Sequence, residues 1–465
     1  MHDTDDDGRR LMADVFAAAR ERLEMDPPPL DRPRTEEELR DAAGRTITPD
    51  GLGPDRALAL FTDVLAPACL SMDHPRYFAF VPNAATETAT LFDLLVGASN
   101  IYGGSWLEGS GAVHAENEAL AWLAELLGMP GSSGGTFVSG GSIANLSALA
   151  AARHRWRSGD RGASGPAEGP VVVVSNAAHS SIGAALDLLD LDPLVVGADA
   201  EGRFRPDDLP LAEQHELRRR AADVVAVVGT AGLTNTGGVD DLGSIARLAD
   251  SLGTWFHVDA AYGGGALCSL RRRSAFAGIE HADSVTIDPH KWLFAPYDCA
   301  AVVYRDPAVA RATFTQRAAY LDAVNEHDEW NPSDYAPHLS RRARGLPFWF
   351  SLAVHGTDAY RDAVDATLDV TEAVAEHVRA APHLDLVMEP ELSVVLVRRH
   401  GWDEAAYHAW CQRLLDEQVG FVVPTTWQGE TLLRLCIVNP RTTVEDALVV
   451  LPPQDDGGDP DAPAA

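Results

Sequence analysis

The sequence predicts an α/β protein: a large domain built on a mostly parallel sheet covered on both faces, followed by a small C-terminal α+β domain. Three observations carry this. Val171–Ser175, Leu194–Val196, Asp223–Gly229, Thr254–Asp259, Ser284–Ile287 and Ala300–Tyr304 are short runs, mostly apolar or β-branched, with little sign of a polar face, as strands buried on both sides require. Helical stretches such as Ala144–Trp156 and Asp240–Leu252 separate several of them, and strand–helix alternation is the pattern of parallel sheets. At 465 residues the chain is also too long for one ordinary core.

The elements follow in order. Residues 11–24 carry apolar side chains near helical spacing and end at Pro27-Pro28-Pro29 and Pro33, which predicts a helical N-terminal segment too small to form a core alone. Alternation of strands and helices begins near residue 76. The Gly/Ser/Pro-rich stretch Ser158–Pro170 reads as a surface loop. After residue 345, the helix-like Ala363–Ala380, the strand-like Leu392–Arg398, the helix-like Glu404–Gln418 and the strand-like Leu432–Val438 form the small domain. The expected units are therefore 1–75, 76–344, 345–451 and an acidic, Pro/Gly-rich disordered tail, 452–465. No internal repeat is visible.

Composition narrows the function. A formal charge of −32 argues against a nucleic-acid partner, because a polyanion would be repelled. The N-terminus shows no basic region followed by an apolar run, so no secretory signal is read, and no apolar stretch is long enough to span a bilayer. Cys69, Cys268, Cys299, Cys411 and Cys436 are few, odd in number and lack CxxC spacing, which reads as reduced thiols in a cytoplasm, with no metal set.

One lysine stands out. Lys291 is the only lysine among 37 basic residues; the rest are arginine. Arginine can replace lysine where only charge is needed. It cannot replace an amine that must become neutral and form an imine, because guanidinium does not deprotonate in proteins. The alternative is a lysine left on the surface by chance.

Three motifs surround this choice. Thr136–Ser142, containing Ser139-Gly140-Gly141-Ser142, leads into a helical stretch. Small residues there let backbone N–H groups approach an anion, although Ser142 could instead simply cap the helix. His257–Gly264 sets Asp259 at the end of a strand, where open α/β sheets bind ligands; a helix-capping aspartate is the alternative. Ser284–Trp292 sets Lys291 just past another strand, with His290 beside it. A pyridoxal-5'-phosphate (PLP) site needs these parts: an amine, an anion cradle, and a carboxylate that keeps the pyridine nitrogen protonated.

These segments, with His74-Pro75-Arg76-Tyr77-Phe78, Ala178-His179-Ser180-Ser181 and Leu435–Thr443, resemble the group II PLP-dependent decarboxylases, which act on aromatic amino acids, glutamate, histidine or diaminobutyrate. The resemblance covers roughly residues 70 to 450. It implies PLP-dependent transferase fold type I with a seven-stranded large-domain sheet, and an obligate homodimer with active sites at the subunit interface. The N-terminal segment would pack on the partner, which also suits a short helix that needs something to bury its apolar face.

Residue by residue, the resemblance makes Lys291 the Schiff-base lysine and Asp259 the partner of the pyridinium nitrogen. Ala261 packs on one ring face and His179 stacks on the other. Thr230 lies near the ring oxygen, and Gly141, Ser142 and His290 contact the phosphate. Tyr335, ahead of Arg341-Arg342, matches the mobile-loop tyrosine that donates a proton. Without the resemblance, His179 reads as a helix-start histidine and Tyr335 as an ordinary loop aromatic. Phe80, Val81, Asn83 and Trp106 match the substrate region, and no charged group among them stands out, which favours a neutral aromatic or aliphatic amino acid. The chain departs from the family in a shorter Tyr335–Arg341 span, in Asn83 where a threonine is usual, and in Asp288 where some members carry asparagine. A carboxylate repels phosphate, so Asp288 has no phosphate role. The expected reaction is decarboxylation of an L-amino acid to the amine and CO2. Its competitors are an aldehyde synthase on the same fold, in which O2 consumes the carbanion, and a non-catalytic relative.

Overall fold

The computed structural model describes residues 5–159, 168–318 and 329–454. Its centre is a seven-stranded sheet of β1 (Gly134–Val138), β2 (Val171–Ser175), β3 (Asp192–Val196), β4 (Val224–Thr230), β5 (Trp255–Asp259), β6 (Ser284–Ile287) and β7 (Ala300–Tyr304), in the order β1-β7-β6-β5-β4-β2-β3. The pairs β3–β2, β2–β4, β4–β5 and β5–β6 are parallel. Only β7 is reversed. It is antiparallel to both β6 and β1, so β1 again runs with the majority. Six strands therefore deliver their C-terminal ends to one edge.

The six expected strands are present with small boundary shifts, but β1 was not foreseen as one. Its Gly134-Gly135 start lacks the β-branched signal. The close approach of β7 explains the glycine: a Cβ on Gly135 would lie 1.8 Å from the Val302 carbonyl oxygen. One face of the sheet is covered by helices Gly141–Ser158 and Ser180–Leu189, through Ala144, Ala148, Leu149, Ile182 and Leu186. The other is covered by Trp106–Leu126 and Leu242–Leu252, through Leu120, Leu123 and Ile245. Burial on both sides is why the strands read as continuous apolar runs.

The small sheet is wholly antiparallel, with β8 (Leu384–Leu386), β9 (Val394–Arg399), β10 (Val423–Trp427) and β11 (Glu430–Cys436) in the order β10-β11-β9-β8. The expected unit boundaries are crossed at both ends. Phe78, expected in the large unit, is fully buried in the small-domain core; its N–H donates to the Phe421 carbonyl and its carbonyl accepts from Cys436 N–H. The 35-residue helix Leu346–Ala380 breaks at Gly356 (φ 76°, ψ 163°) and carries Phe348 and Tyr360 into the large core but Val374 and Val378 into the small one.

Two expected peripheral features also differ in part. The chain past residue 451 does not leave the domain at once, because Arg399 donates to the Pro453 and Gln454 carbonyls. The remainder of the expected tail, 455–465, and most of the expected Ser158–Pro170 loop, 160–167, lie outside the described residues. The N-terminal helix, Asp6–Glu24, has no buried residue and exposes Met12, Val15 and Phe16. Among the described residues no helix is long and apolar enough to cross a membrane.

Candidate active site

The aligned strand ends gather the residues that the sequence singled out. Thr230 ends β4, Asp259 ends β5, and Asp288-Pro289-His290-Lys291 is the turn that follows β6. Gly141 follows β1, and His179 follows β2. Gly141 shows how tightly they meet: a Cβ there would lie 2.9 Å from Asp288 Oδ2 and 3.2 Å from the Ala261 methyl.

Lys291 Nζ lies 3.1 Å from Asp288 Oδ2. Burial works against its charged form, but the Asp288 and Asp259 carboxylates outweigh that and raise its proton affinity above that of an ordinary lysine. Asp288 is buried, and its Oδ1 has no hydrogen-bond partner. His290 is held through Nδ1 against the Cys299 backbone, with Nε2 3.6 Å from Asp288 Oδ2 and its ring against Tyr297. Burial lowers its pKa, against the pull of Asp288.

Asp259 is buried. Its Oδ1 accepts from Ala261 N–H at 3.1 Å and its Oδ2 from Asn145 Nδ2 at 2.9 Å. Each oxygen retains a lone pair, so a further N–H can be accepted. Thr230 is held by Asp240, whose carboxylate accepts from the N–H groups of Thr230 and Phe204; burial pushes that carboxyl up to about 7.

The helix after β1 starts with Gly140 at its N-cap, which supplies no side-chain cap. Ser142 is inside the first turn, so it is not the N-cap. Its exposed position beside uncapped N–H groups is a ready anion cradle. His179 is the N-cap of helix Ser180–Leu189 and accepts from Ser181 N–H through Nδ1. Capping uses Nδ1 and leaves Nε2 unused by the cap. It lines a cavity of about 480 Å³ between the strand ends and the β10–β11 hairpin, with Asn235 and Trp427.

Four expected residues are placed differently. Tyr335 is 3% exposed, stacked on Trp330 at 4.1 Å, with its carbonyl accepting from Tyr304 O–H. It belongs to the core between sheet and helix and does not reach the strand-end cluster, because an aromatic followed by Ala-Pro packs as readily as it swings. Asn83 lines a cavity of about 750 Å³ with Phe294 and Tyr297, but both of its amide contacts go to the carbonyls of His290 and Ala295. It braces the lysine turn. Trp106 opens a helix beside Asn331, and Phe80 is 59% exposed at φ 53°; neither lines these cavities.

Sequence reasoning passed over Asn145, Ser181 and His257 as site residues, though the last two stood inside quoted motifs. It also left Arg434 without a role. That side chain donates to the carbonyls of Thr234 and Phe80 and buries Nη2 without a hydrogen-bond partner.

The fit to PLP is good: one amine, a buried carboxylate at the neighbouring strand end, and an uncapped helix N-terminus converge. Fold and site together define a PLP-dependent enzyme of fold type I. The chain matches the family model described as the pyridoxal-dependent decarboxylase conserved domain over residues 54–399. It is 32% identical to the aromatic-L-amino-acid decarboxylase of Bacillus atrophaeus over 424 residues, covering 89% of this chain and 87% of that protein. It is 33% identical to the L-2,4-diaminobutyrate decarboxylase of Rhizobium meliloti (strain 1021) over 409 residues, covering 84% and 80%. The crystal structure of Oryza sativa TDC with PLP and tryptamine shares the fold, with a TM-score of 0.85 at 23% identity over 96% of this chain and 97% of that one. The chain belongs to the pyridoxal-dependent decarboxylase family. It is a PLP-dependent carboxy-lyase that acts on an amino acid.

Proposed function

We propose that this carboxy-lyase converts a neutral aromatic or aliphatic L-amino acid to its amine, in the cytoplasm and as a homodimer with shared active sites. The observation that carries the site assignment is the pairing of Lys291 and Asp259 at neighbouring strand ends, where each lies in the field of the other.

When bound, PLP supplies the electron sink for the bond broken as CO2 leaves. Lys291 would carry the cofactor through Nζ, and Asp259 would hold a proton on the ring nitrogen. Ala261 and His179 would flank the ring and Thr230 would sit near its oxygen. Gly141, Ser142 and His290 would hold the phosphate, with the helix N-terminus offsetting the nearby Asp288 charge.

A neutral substrate is favoured over an acidic one by the larger cavity, where both lining arginines are already paired, Arg22 with Asp73 and Arg441 with Asp26. That leaves Phe294, Pro296 and Tyr297 as the wall near the lysine turn. Phe80 and Trp106 would serve the substrate only across a subunit interface. A second copy is favoured by Leu91, Leu94 and Leu95, exposed along one face of helix Glu87–Ser99, with Leu107 and Phe61 also exposed.

The test is incubation with a panel of L-amino acids, reading CO2, amine, ammonia and peroxide together. Amine and CO2 in equal amounts from a neutral amino acid are expected. Preference for a charged one overturns the substrate reading, and peroxide in proportion to CO2 establishes aldehyde synthesis instead.

A further inference from the structure

Asp259 and His179 are joined by a chain of hydrogen bonds, buried from Asp259 to Ser181 and partly buried at the exposed His179, that has one self-consistent set of donors. Asn145, 1% exposed, directs Nδ2 at both Asp259 Oδ2 (2.9 Å) and Ser181 Oγ (3.1 Å). A carboxylate only accepts, so the amide cannot be flipped, and its Oδ1 must face His257 Nε2 at 3.0 Å. That nitrogen is therefore the donor. Burial pushes the His257 pKa down to about 4 despite Asp259, so the ring is neutral and its Nδ1 accepts from Ser284 Oγ at 2.9 Å. Ser284 in turn accepts from Trp255 Nε1 at 2.7 Å.

The other branch is equally constrained. Ser181 N–H can only donate, so His179 Nδ1 accepts it at 3.2 Å. Ser181 Oγ, already accepting from Asn145, sends its own proton to the same Nδ1 at 2.8 Å. The proton of the neutral imidazole is left on Nε2, the nitrogen that capping does not use.

We propose that Asn145 is a positioning residue whose one side-chain amide sets both the Asp259 carboxylate and, through Ser181, the tautomer and ring orientation of His179. The inference rests on the roles given above to Asp259 and His179. It adds that the group below the ring nitrogen and the group on the ring face are fixed as one unit. They come from three elements, β5, the helix after β1 and the helix after β2, which no local sequence rule holds in register.

The holoenzyme tests this with four variants, reading PLP release by dialysis, kcat and KM separately, and the pH profile. Asn145→Ala leaves buried donors and acceptors unmatched, so PLP should leave faster and kcat fall by about tenfold or more with KM little changed. Ser181→Ala, at the end of the network and the gentler change, should lower kcat while PLP retention stays near wild type. Asn145→Asp keeps the shape but sets a second carboxyl against Asp259. Its kcat and PLP retention should recover as the pH is lowered and a proton on the new carboxyl restores one donor, whereas a merely structural role would not move the profile.

Asp259→Asn separates the two levels of argument. If it loses turnover while Asn145→Ala and Asn145→Asp behave as wild type, the positioning role is overturned and the site reading stands. If Asp259→Asn is harmless, both are overturned. Wild-type kcat in Ser181→Ala overturns the His179 branch.

Discussion

Lys291 Nζ stands 3.1 Å from Asp288 Oδ2, three residues earlier in the same turn, and the carboxylate is buried with its second oxygen unpartnered. The pair binds the amine's proton in a place where burial alone would expel it. Asp288 therefore acts on the lysine's proton.

It follows that Asp288→Asn should lower the proton affinity of Lys291. The apoprotein should then take up PLP at lower pH than wild type does, because uptake needs the neutral amine. Uptake followed by absorbance across a pH series checks this. A midpoint that stays put or moves upward contradicts it.

Lys291→Arg should abolish covalent retention of the cofactor altogether. Borohydride treatment of wild type should fix PLP to the peptide containing Asp288–Trp292, and to nothing in the variant, because no other lysine exists. A labelled variant refutes the assignment.

Tyr335→Phe is expected to leave the ratio of amine to CO2 unchanged. The ring is stacked on Trp330 inside the core, so any effect should appear in thermal stability instead. Peroxide and ammonia from this variant alone would restore the tyrosine to the proton-donor role.

His338 gives a pH signature. Burial, reinforced by Arg341, pushes its pKa from 6.5 down to about 4, with Nε2 on the Pro332 carbonyl. Between those values the unfolded chain binds a proton that the folded chain refuses, so stability is lost as the pH falls. Relative to His338→Gln, wild type should lose no more than about 3 kcal/mol across that window in urea unfolding. A constant difference from pH 7 to 4 would argue against a neutral His338.

The apolar face of helix Glu87–Ser99 predicts self-association. Wild type should sediment as a dimer, and Leu94→Glu should shift it towards monomer with loss of turnover. An active monomeric wild type would remove the shared-site reading.

The sequence by itself determined the class of chemistry. A single amine in an arginine-rich chain, a glycine-serine turn before a helix and an aspartate at a strand end are local signals, and each depends on residue type and near neighbours alone. The same holds for six of the seven central strands, whose burial on both faces writes itself into continuous apolar runs. Only the tertiary structure decided the rest. β1 was hidden because its glycines answer to the neighbouring β7 and not to strand propensity. Tyr335 looked like a loop residue because nothing in Ser333–Pro337 says that Trp330 will cover it. Asn145 gave no signal at all: an asparagine inside a helix is ordinary until the sheet brings Asp259 and His257, more than 100 residues away, against its two amide atoms. Long-range partners of that kind are set by how strands order themselves in the sheet, and a linear pattern does not carry that order.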